Sequence, residues 1–588
     1  MTLLVNDPAD FAAEALAGFG AAHPDAIRVV HGGVVRASAT PHGQVATVLG
    51  GGTGHYPAFA GWVGPGFAHG AACGNIFSSP SASQICSVAR AAENGGGVVL
   101  GFGNYAGDVL HFGQAAEQLR AEGLDVRVLA VTDDVASGPA DETALRRGIA
   151  GDLTVLKILG AAAEAGLGIA AVHRAGTRAN AATRSLGLAF DGCTLPGADR
   201  PLFTVGAGRM GVGLGIHGEP GIEQRPLPTA DEVADLLVDG VLAERGAAAG
   251  AVGGSERVAL VLNGLGATKY EELYVVHRRV SERLAAEGLT VVAPVVDEQI
   301  TSLGMAGLSL TLTFLDSELE RLWAAPAVTP AFRRGHLTPR PPRTDDLAAA
   351  RRTPPVTPGD EPSRALGALI AEALGTVRDT VATHERRLGE IDAVAGDGDH
   401  GIGMRRGAEA AAEAADRAVV LGAGARAVLT RAGSAWSESA GGTSGALWGA
   451  ALTALGSVLG DSGRVGPERA VTGARAAVDA VVRLGGASPG DKTLVDAAVP
   501  FVDRLASDLG DLGPHAAWAE GAAAARRAAD ATASIPARRG RARAHGDNSL
   551  GTPDAGAVSF SLIVTALTPR FQQETHSRHA PDLQEENH

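Results

Sequence analysis

Between about Pro326 and Glu361 the chain runs through TPRPPRTDDLAAARRTPPVTPGDEP, a stretch of Pro, Arg, Thr and Asp without the apolar residues needed for a core. Such a stretch (326–361) is expected to be an extended linker, so it forces the chain to fold as separate parts on either side. Length agrees, since 588 residues correspond to roughly two to four domains. Before the linker, from Met1 to about Ala325, short Val/Ile/Leu runs such as QVATVLG, GGVVLGFG, VRVLAVTDD and RVALVLNGLG alternate with Ala-rich helical stretches such as SASQICSVARAAENG. That alternation predicts α/β layers with buried strands. After the linker come long Ala-rich amphipathic segments, beginning SRALGALIAEALGTVRDTVATHERRLG, separated by Gly-rich turns. They predict an all-helical part over 362–570. The polar tail, 571–588, reads as disordered or loosely docked.

The formal charge of −15 makes the average surface repel a polyanion, which argues against nucleic acid as a partner. A small phosphorylated ligand stays compatible with it, because local dipoles and a bound metal outweigh net charge at short range. Cys73, Cys86 and Cys193 are odd in number and not closely paired, as in a reducing compartment without a zinc or disulfide framework. The start MTLLVNDPADF carries Asp7 and Asp10 where a signal peptide would be basic and then apolar, and no long apolar run marks a membrane span. The expectation is a soluble cytoplasmic protein.

In the helical part, EIDAVAGDGDHGIGMRRG spaces Asp392, Asp397 and Asp399 as D-x4-D-x-D, with Gly396 and Gly398 letting the chain close around a point. Three carboxylates drawn together repel one another unless a cation neutralises them, and hard oxygen ligands point to magnesium. A turn that merely caps the next helix would use one Asp and leave two idle. Next, SESAGGTSGALWGAAL runs Gly441, Gly442, Thr443, Ser444 and Gly445 into an apolar helix, offering free N–H groups to a phosphate. Close helix packing also produces such glycine runs, so spacing leaves both readings open. GGASPGDKTLVDAAVP and GRARAHGDNSLGTPDAGAVS add polar turns holding Gly490, Asp491, Lys492, Thr493, Arg541 and Asp554. On spacing alone these turns are either a nucleotide cover or ordinary connections.

In the α/β part the predicted strands end in Gly, Asn or Asp, where ligands sit in such folds. LGGGTGHYPAF places Gly52, Thr53, Gly54 and His55 after one strand, GNYAGDVLHF places Asn104 and Asp108 after another, and GLGIHGEPGIEQ places His217 in a glycine-flanked turn. A lone histidine is more often structural than catalytic. Three polar residues in three strand-end loops shift that balance.

GDGDHG, GGTSG, PGDKT and the DAGA turn, with the α/β segments above and RRGIAGDLTVLKILGAAAE, VLNGLGATKYEELY and TSLGMAGLSLTLTFLD, resemble the single-chain dihydroxyacetone kinases over nearly the whole chain. The resemblance implies a two-lobed α/β ketone-binding part, 1–325, fused to an ATP-binding barrel of antiparallel helices. It implies that Asp392, Asp397 and Asp399 hold two Mg2+ ions, with His400, Gly442, Thr443, Ser444, Gly490, Asp491, Arg541 and Asp554 around ATP. His217 would join the ketone carbon as a hemiaminal, as a neutral imidazole nitrogen can. Asp108 would accept the proton of the terminal hydroxyl, and His55 would bond to or protonate the substrate oxygen. Gly52, Thr53, Gly54, Tyr56, Phe59 and Asn104 would seat the ketose, and the family suggests a homodimer. The chain departs from the usual pattern at Gly403, often Asn; at Tyr56, Ala58 and Phe59, where GHEP and a second histidine are usual; and at Gly304, often Asp. Lost charge and added rings predict erythrulose in preference to dihydroxyacetone. Two other readings are a phosphotransferase fed by a phosphoenolpyruvate-driven carrier and a non-catalytic ketose sensor. Fusion of the two parts disfavours the first, and retention of His217, Asp108 and the Asp triad disfavours the second.

Overall fold

The computed structural model describes residues 4–198, 200–219, 221–345, 347–350, 356, 358–394, 396, 398–539 and 549–568. The chain divides into two compact units, 1–353 and 354–588.

The first unit holds two six-stranded sheets. One is built from β1 (Ile27–Val30), β2 (Gly33–Arg36), β3 (Ala46–Gly52), β4 (Gly70–Gly74), β5 (Val98–Gly103) and β6 (Val126–Val131), in the order β1-β2-β4-β3-β5-β6. The other is built from β7 (Thr183–Ala189), β8 (Arg209–Val212), β9 (Glu223–Pro226), β10 (Arg257–Gly264), β11 (Thr290–Asp297) and β12 (Gly307–Phe314), in the order β11-β10-β12-β7-β8-β9. The helices are α1 (Phe11–Ala22), α2 (Ala82–Ala92), α3 (Ala106–Ala121), α4 (Gly151–Glu164), α5 (Ile169–Ala181), α6 (Ala230–Leu242), α7 (Arg245–Gly250), α8 (Tyr270–Ala286) and α9 (Ser317–Ala324). QVATVLG, GGVVLGFG, VRVLAVTDD and RVALVLNGLG become β3, β5, β6 and β10, as their β-branched runs predict. Strands β4, β3, β5 and β6 run parallel, so β3 and β5 open their carboxyl ends on the same side. Every residue of β3, β5 and β12 is buried, and each fully buried Val or Leu contributes about 1.5–3 kcal/mol. α4 is buried over nearly its whole length and packs against strands of both sheets, β3 and β5 of one and β7, β10 and β12 of the other.

The proline-rich stretch is partly laid on this unit. Ala327–Val328 and Arg333–Arg334 pair as the short strands β13 and β14, Ala39 N donates to Pro341 O (2.8 Å), and Arg343 N donates to Ala37 O (2.8 Å). Arg340 forms an ion pair with Glu164. Proline runs are extended but keep their carbonyls, and here the Pro341 carbonyl finds a backbone partner.

The second unit is helical: α10 (Glu361–Asp392), α11 (His400–Val420), α12 (Ala425–Ala440), α13 (Gly442–Leu459), α14 (Pro467–Gly485), α15 (Val495–Ala531) and α16 (Ala555–Leu567). Each packs on the next, and α16 returns to α10, closing a ring. Asp360 begins α10, accepting from Ser363 N, and a bend at Gly513–Pro514 divides α15. Buried faces are largely alanine, as on α11, where Ala408, Ala411, Ala412, Ala415 and Ala418 are inside; small side chains let helix axes approach closely. No helix among the described residues is long and apolar enough to cross a membrane.

Candidate active site

Chain crossing at strand ends assembles the first centre. β3 ends at Gly52, whose missing Cβ would lie 2.3 Å from the Ile76 carbonyl oxygen, so glycine is needed for the 75–77 segment to approach. The chain then turns through Thr53–His55, placing His55 in the core at 3% exposure. Its Nδ1 lies 2.7 Å from the Thr301 carbonyl oxygen and its Nε2 lies 2.9 Å from His217 Nε2. His217 arrives from the other sheet, on the loop after β8. Its Nδ1 is 2.9 Å from Glu219 Oε1, and its backbone N–H donates to Glu219 Oε2 at 3.0 Å. Gly215 leaves the room for this fold-back, since a Cβ there would sit 2.0 Å from Glu219 Oε2.

Around the two imidazoles the walls are aromatic and charged. Phe77 stacks on His55 at 5.1 Å and meets His217 edge-on at 5.2 Å. Tyr105 meets His217 edge-on at 4.6 Å, and burial, then the charge of Glu219, raises its phenol pKa well above the ordinary value. Arg147 stands 3.8 Å from Glu219 and 2.8 Å from Asp134. Asp108 lies in the first turn of α3, where the helix dipole favours its carboxylate, and is 9% exposed. Asp152, in the first turn of α4, is fully inside, and burial followed by the charges of Asp133 and Asp108 raises its pKa well above the carboxylate range. Burial likewise pushes Asp133 up to about 6, while it accepts from Ile149 N and Gly151 N at the start of α4 (2.9 and 2.8 Å).

His55 and His217 therefore meet, and Asp108 enters within one helical turn of Tyr105. Other expected residues lie differently. Asn104 spends its amide on the Ala144 and Arg146 carbonyls (3.0 and 2.8 Å), which fixes the neighbouring loop. Phe59 is buried, edge-on to Trp62 at 5.7 Å, with its ring against Gly51. Tyr56 is half exposed and leans on Phe19 at 5.6 Å. Thr301 bonds through its hydroxyl to Tyr56 O (2.7 Å) and so ties the site to 301–303. Glu219, Arg147, Tyr105 and Phe77 escaped sequence reasoning. Glu219 carried a signal, a carboxylate two residues after a glycine-flanked histidine.

The second centre lies in the helical unit. Asp392 ends α10, Asp399 precedes α11 and Asp554 precedes α16, with Asp554 Oδ1 accepting from Ala557 N (2.7 Å). The loop between the first two is tight: Gly396 N donates to Asp392 O at 2.6 Å. Burial, then the Asp392 charge, pushes Asp399 up to about 7. Burial, opposed by the Ala557 N–H and aided by Asp392, does the same to Asp554. Carboxylates crowded until they resist ionising fit a divalent cation, which would stabilise their charged forms. Asp397 lies outside the described residues, and among the described residues no group of three His, Cys, Asp or Glu forms a complete metal site.

His400 spans the same end of the ring, with Nε2 3.0 Å from Ser559 Oγ and Nδ1 3.5 Å from Ser444 Oγ. Gly441 and Gly442 take φ of 62° and 57° where α12 passes into α13, and the space where a Gly442 Cβ would point is open. Thr443 follows in the first turn of α13. Beyond α14, the Gly490 and Thr493 N–H groups donate to Asp496 (2.5 and 2.7 Å). Asp491 pairs with Arg539 at 3.1 Å, and Lys492 Nζ donates to Ser549 O and Thr552 O (2.5 and 2.8 Å). Arg541 lies outside the described residues.

Residues 17–331 match the Dak1 domain and residues 394–569 match the DAK2 domain. The chain is 58% identical to the L-erythrulose 1-kinase of Mycolicibacterium smegmatis, over 96% of this chain and 99% of that one. It is 54% identical to the D-erythrulose kinase of the same organism, over 96% and 98%. The crystal structure of the dihydroxyacetone kinase from C. freundii in complex with AMP-PNP and Mg2+ is similar at 28% identity and a TM-score of 0.51, covering 97% of this chain and 99% of that one.

Proposed function

Since this chain belongs to the dihydroxyacetone kinase family and is an ATP-dependent, Mg2+-requiring kinase of short ketoses, we propose that its acceptor is erythrulose, captured as a hemiaminal on His217. The observation that carries the covalent reading is the 2.9 Å approach of His217 Nε2 to His55 Nε2. It puts a nucleophilic nitrogen beside a group able to protonate the oxygen that the attack creates. Glycerol and other polyols, which lack a carbonyl, fail at this step. Asp108 takes the proton of the terminal hydroxyl as that oxygen attacks the γ-phosphorus. Asp392, Asp397, Asp399 and Asp554 would hold the magnesium that neutralises the phosphates, and Ser444, His400 and the 441–445 turn would face the nucleotide. Phosphoryl transfer asks chiefly for alignment and charge neutralisation.

Support for a four-carbon acceptor comes from the erythrulose kinases at 58 and 54% identity. Those two relatives are named for opposite enantiomers, so both belong in the test. With purified protein, ATP and Mg2+, kcat/KM for one erythrulose enantiomer should exceed that for dihydroxyacetone by about 10-fold or more, a difference of about 1.4 kcal/mol. Preference for the triose would defeat the assignment of acceptor. Replacing His217 with Ala should abolish turnover on every ketose; undiminished activity would remove the capture step.

A further inference from the structure

We propose that Glu219, braced by Arg147, is a positioning residue that keeps the His55–His217 pair holding one shared proton, with the His217 Nε2 lone pair as its acceptor until the ketone takes that lone pair. This rests on His217 as the nucleophile and adds a proton count to it. Four ring nitrogens are involved. His55 Nδ1 faces the Thr301 carbonyl oxygen at 2.7 Å, which only accepts, so that nitrogen carries a hydrogen. His217 Nδ1 faces Glu219 Oε1 at 2.9 Å, and the other oxygen of that carboxylate already accepts the His217 backbone N–H. That nitrogen carries a hydrogen too.

Two neutral rings so arranged would direct two lone pairs at each other across the 2.9 Å between their Nε2 atoms, which is repulsive. One added proton turns the contact into a hydrogen bond and gives the pair a single positive charge. Glu219 on the His217 loop supplies the opposing charge. The charged or titratable groups around it include Arg147 beside Glu219, Asp134 behind Arg147, Tyr105 with Asp108 at the start of α3, and Asp152 in the first turn of α4. Arg147 divides its charge between two carboxylates, so Glu219, 2.9 Å from His217 Nδ1, is not fully neutralised by it.

On capture, the Nε2···Nε2 hydrogen bond breaks, and His217 Nε2 gives the freed electron pair to the carbonyl carbon. The C=O π pair moves to oxygen, which takes the shared proton from His55 Nε2. His55 is left neutral with Nδ1–H on Thr301, and His217 becomes an Nε2-substituted imidazolium with Nδ1–H on Glu219. One positive charge has moved from His55 to His217, toward the carboxylate. Glu219 therefore stabilises the adduct more than it stabilises the resting pair.

The test uses the full chain without nucleotide, labelled with 15N-histidine, titrated with [2-13C]dihydroxyacetone, and compared with Glu219→Gln. In the unsubstituted protein, both Nδ1 atoms should be protonated and one proton should be shared between the Nε2 atoms. Two neutral rings, or an Nδ1 of His217 without hydrogen, would overturn the proposal whatever the variant does. Glu219→Gln should weaken formation of the tetrahedral adduct by about 10- to 100-fold, the loss of one charge-assisted hydrogen bond. It should also move the alkaline limb of kcat/KM to lower pH, because a pair without its carboxylate gives up the proton sooner. Equal adduct affinity and an unmoved limb would refute the role of Glu219. An unsubstituted protein that phosphorylates ketose yet shows no adduct carbon would instead refute His217 as the nucleophile.

Discussion

Lys157 sits in the middle of α4 with no exposure, its Nζ donating to Leu322 O at 3.2 Å. Burial, with Arg334 nearby, pushes its pKa down from 10.5 to about 7. A depressed lysine is less protonated in the folded state than in the unfolded one between those values. Stability therefore rises with pH from about 7 toward 10.5, and the whole penalty is present below about 7. Lys157→Met should raise stability at pH 6 by about 1–3 kcal/mol, after loss of one hydrogen bond, and should flatten the rise toward pH 9.5. Urea unfolding of both proteins at the two pH values measures it, and a variant less stable at pH 6 would contradict the sign. Residues of this kind are not legible in a sequence, because TVLKILG shows a lysine in an apolar helix without showing which carbonyl receives it. The same holds at the active site. His55, His217 and Asp108 stand out by chemistry and glycine context, whereas Phe77 and Tyr105 matter through where folding points their rings.

At the level of elements, the ends of β3 and β4 carry the site, and their spacing is set by backbone contact. Gly52 pairs with Gly74 in the parallel ladder and lies under the Ile76 carbonyl, with the Phe77 Cα 3.0 Å from where a Cβ would stand. Gly52→Ala forces backbone to move against backbone, at about 1–3 kcal/mol by the usual scale of overpacking. It should also lift Phe77 from the two imidazoles. The expected result is a modest fall in Tm with a larger fall in kcat/KM, read by calorimetry and steady-state kinetics; unaltered kinetics would show that Phe77 does not brace the pair. The strands themselves were readable, since runs such as RVALVLNGLG are too apolar to lie anywhere but inside a sheet. The docking of 333–345 was not, because proline and arginine composition is equally that of a solvated linker. Partners such as Ala37, Ala39 and Glu164 distinguish the two.

In the whole molecule, the proposed capture and the proposed metal centre fall on different compact units, the imidazole pair in 1–353 and the acidic cluster in 354–588. The linear order of the chain makes this division legible, since all the ketone-side motifs precede the proline-rich stretch and all the acidic and glycine-rich nucleotide motifs follow it. Carboxylates use Mg2+; a histidine adding to a carbonyl does not, since the proton it needs is supplied by its neighbour. Chelation should therefore separate the two functions. With EDTA in excess, ATP-dependent phosphorylation should fall to background and recover on adding Mg2+, while the tetrahedral carbon of a 13C-labelled ketose persists with affinity changed by no more than about twofold, or about 0.4 kcal/mol. Loss of that carbon signal with the metal would mean that capture depends on the acidic cluster, and that the imidazole pair does not hold the ketose on its own.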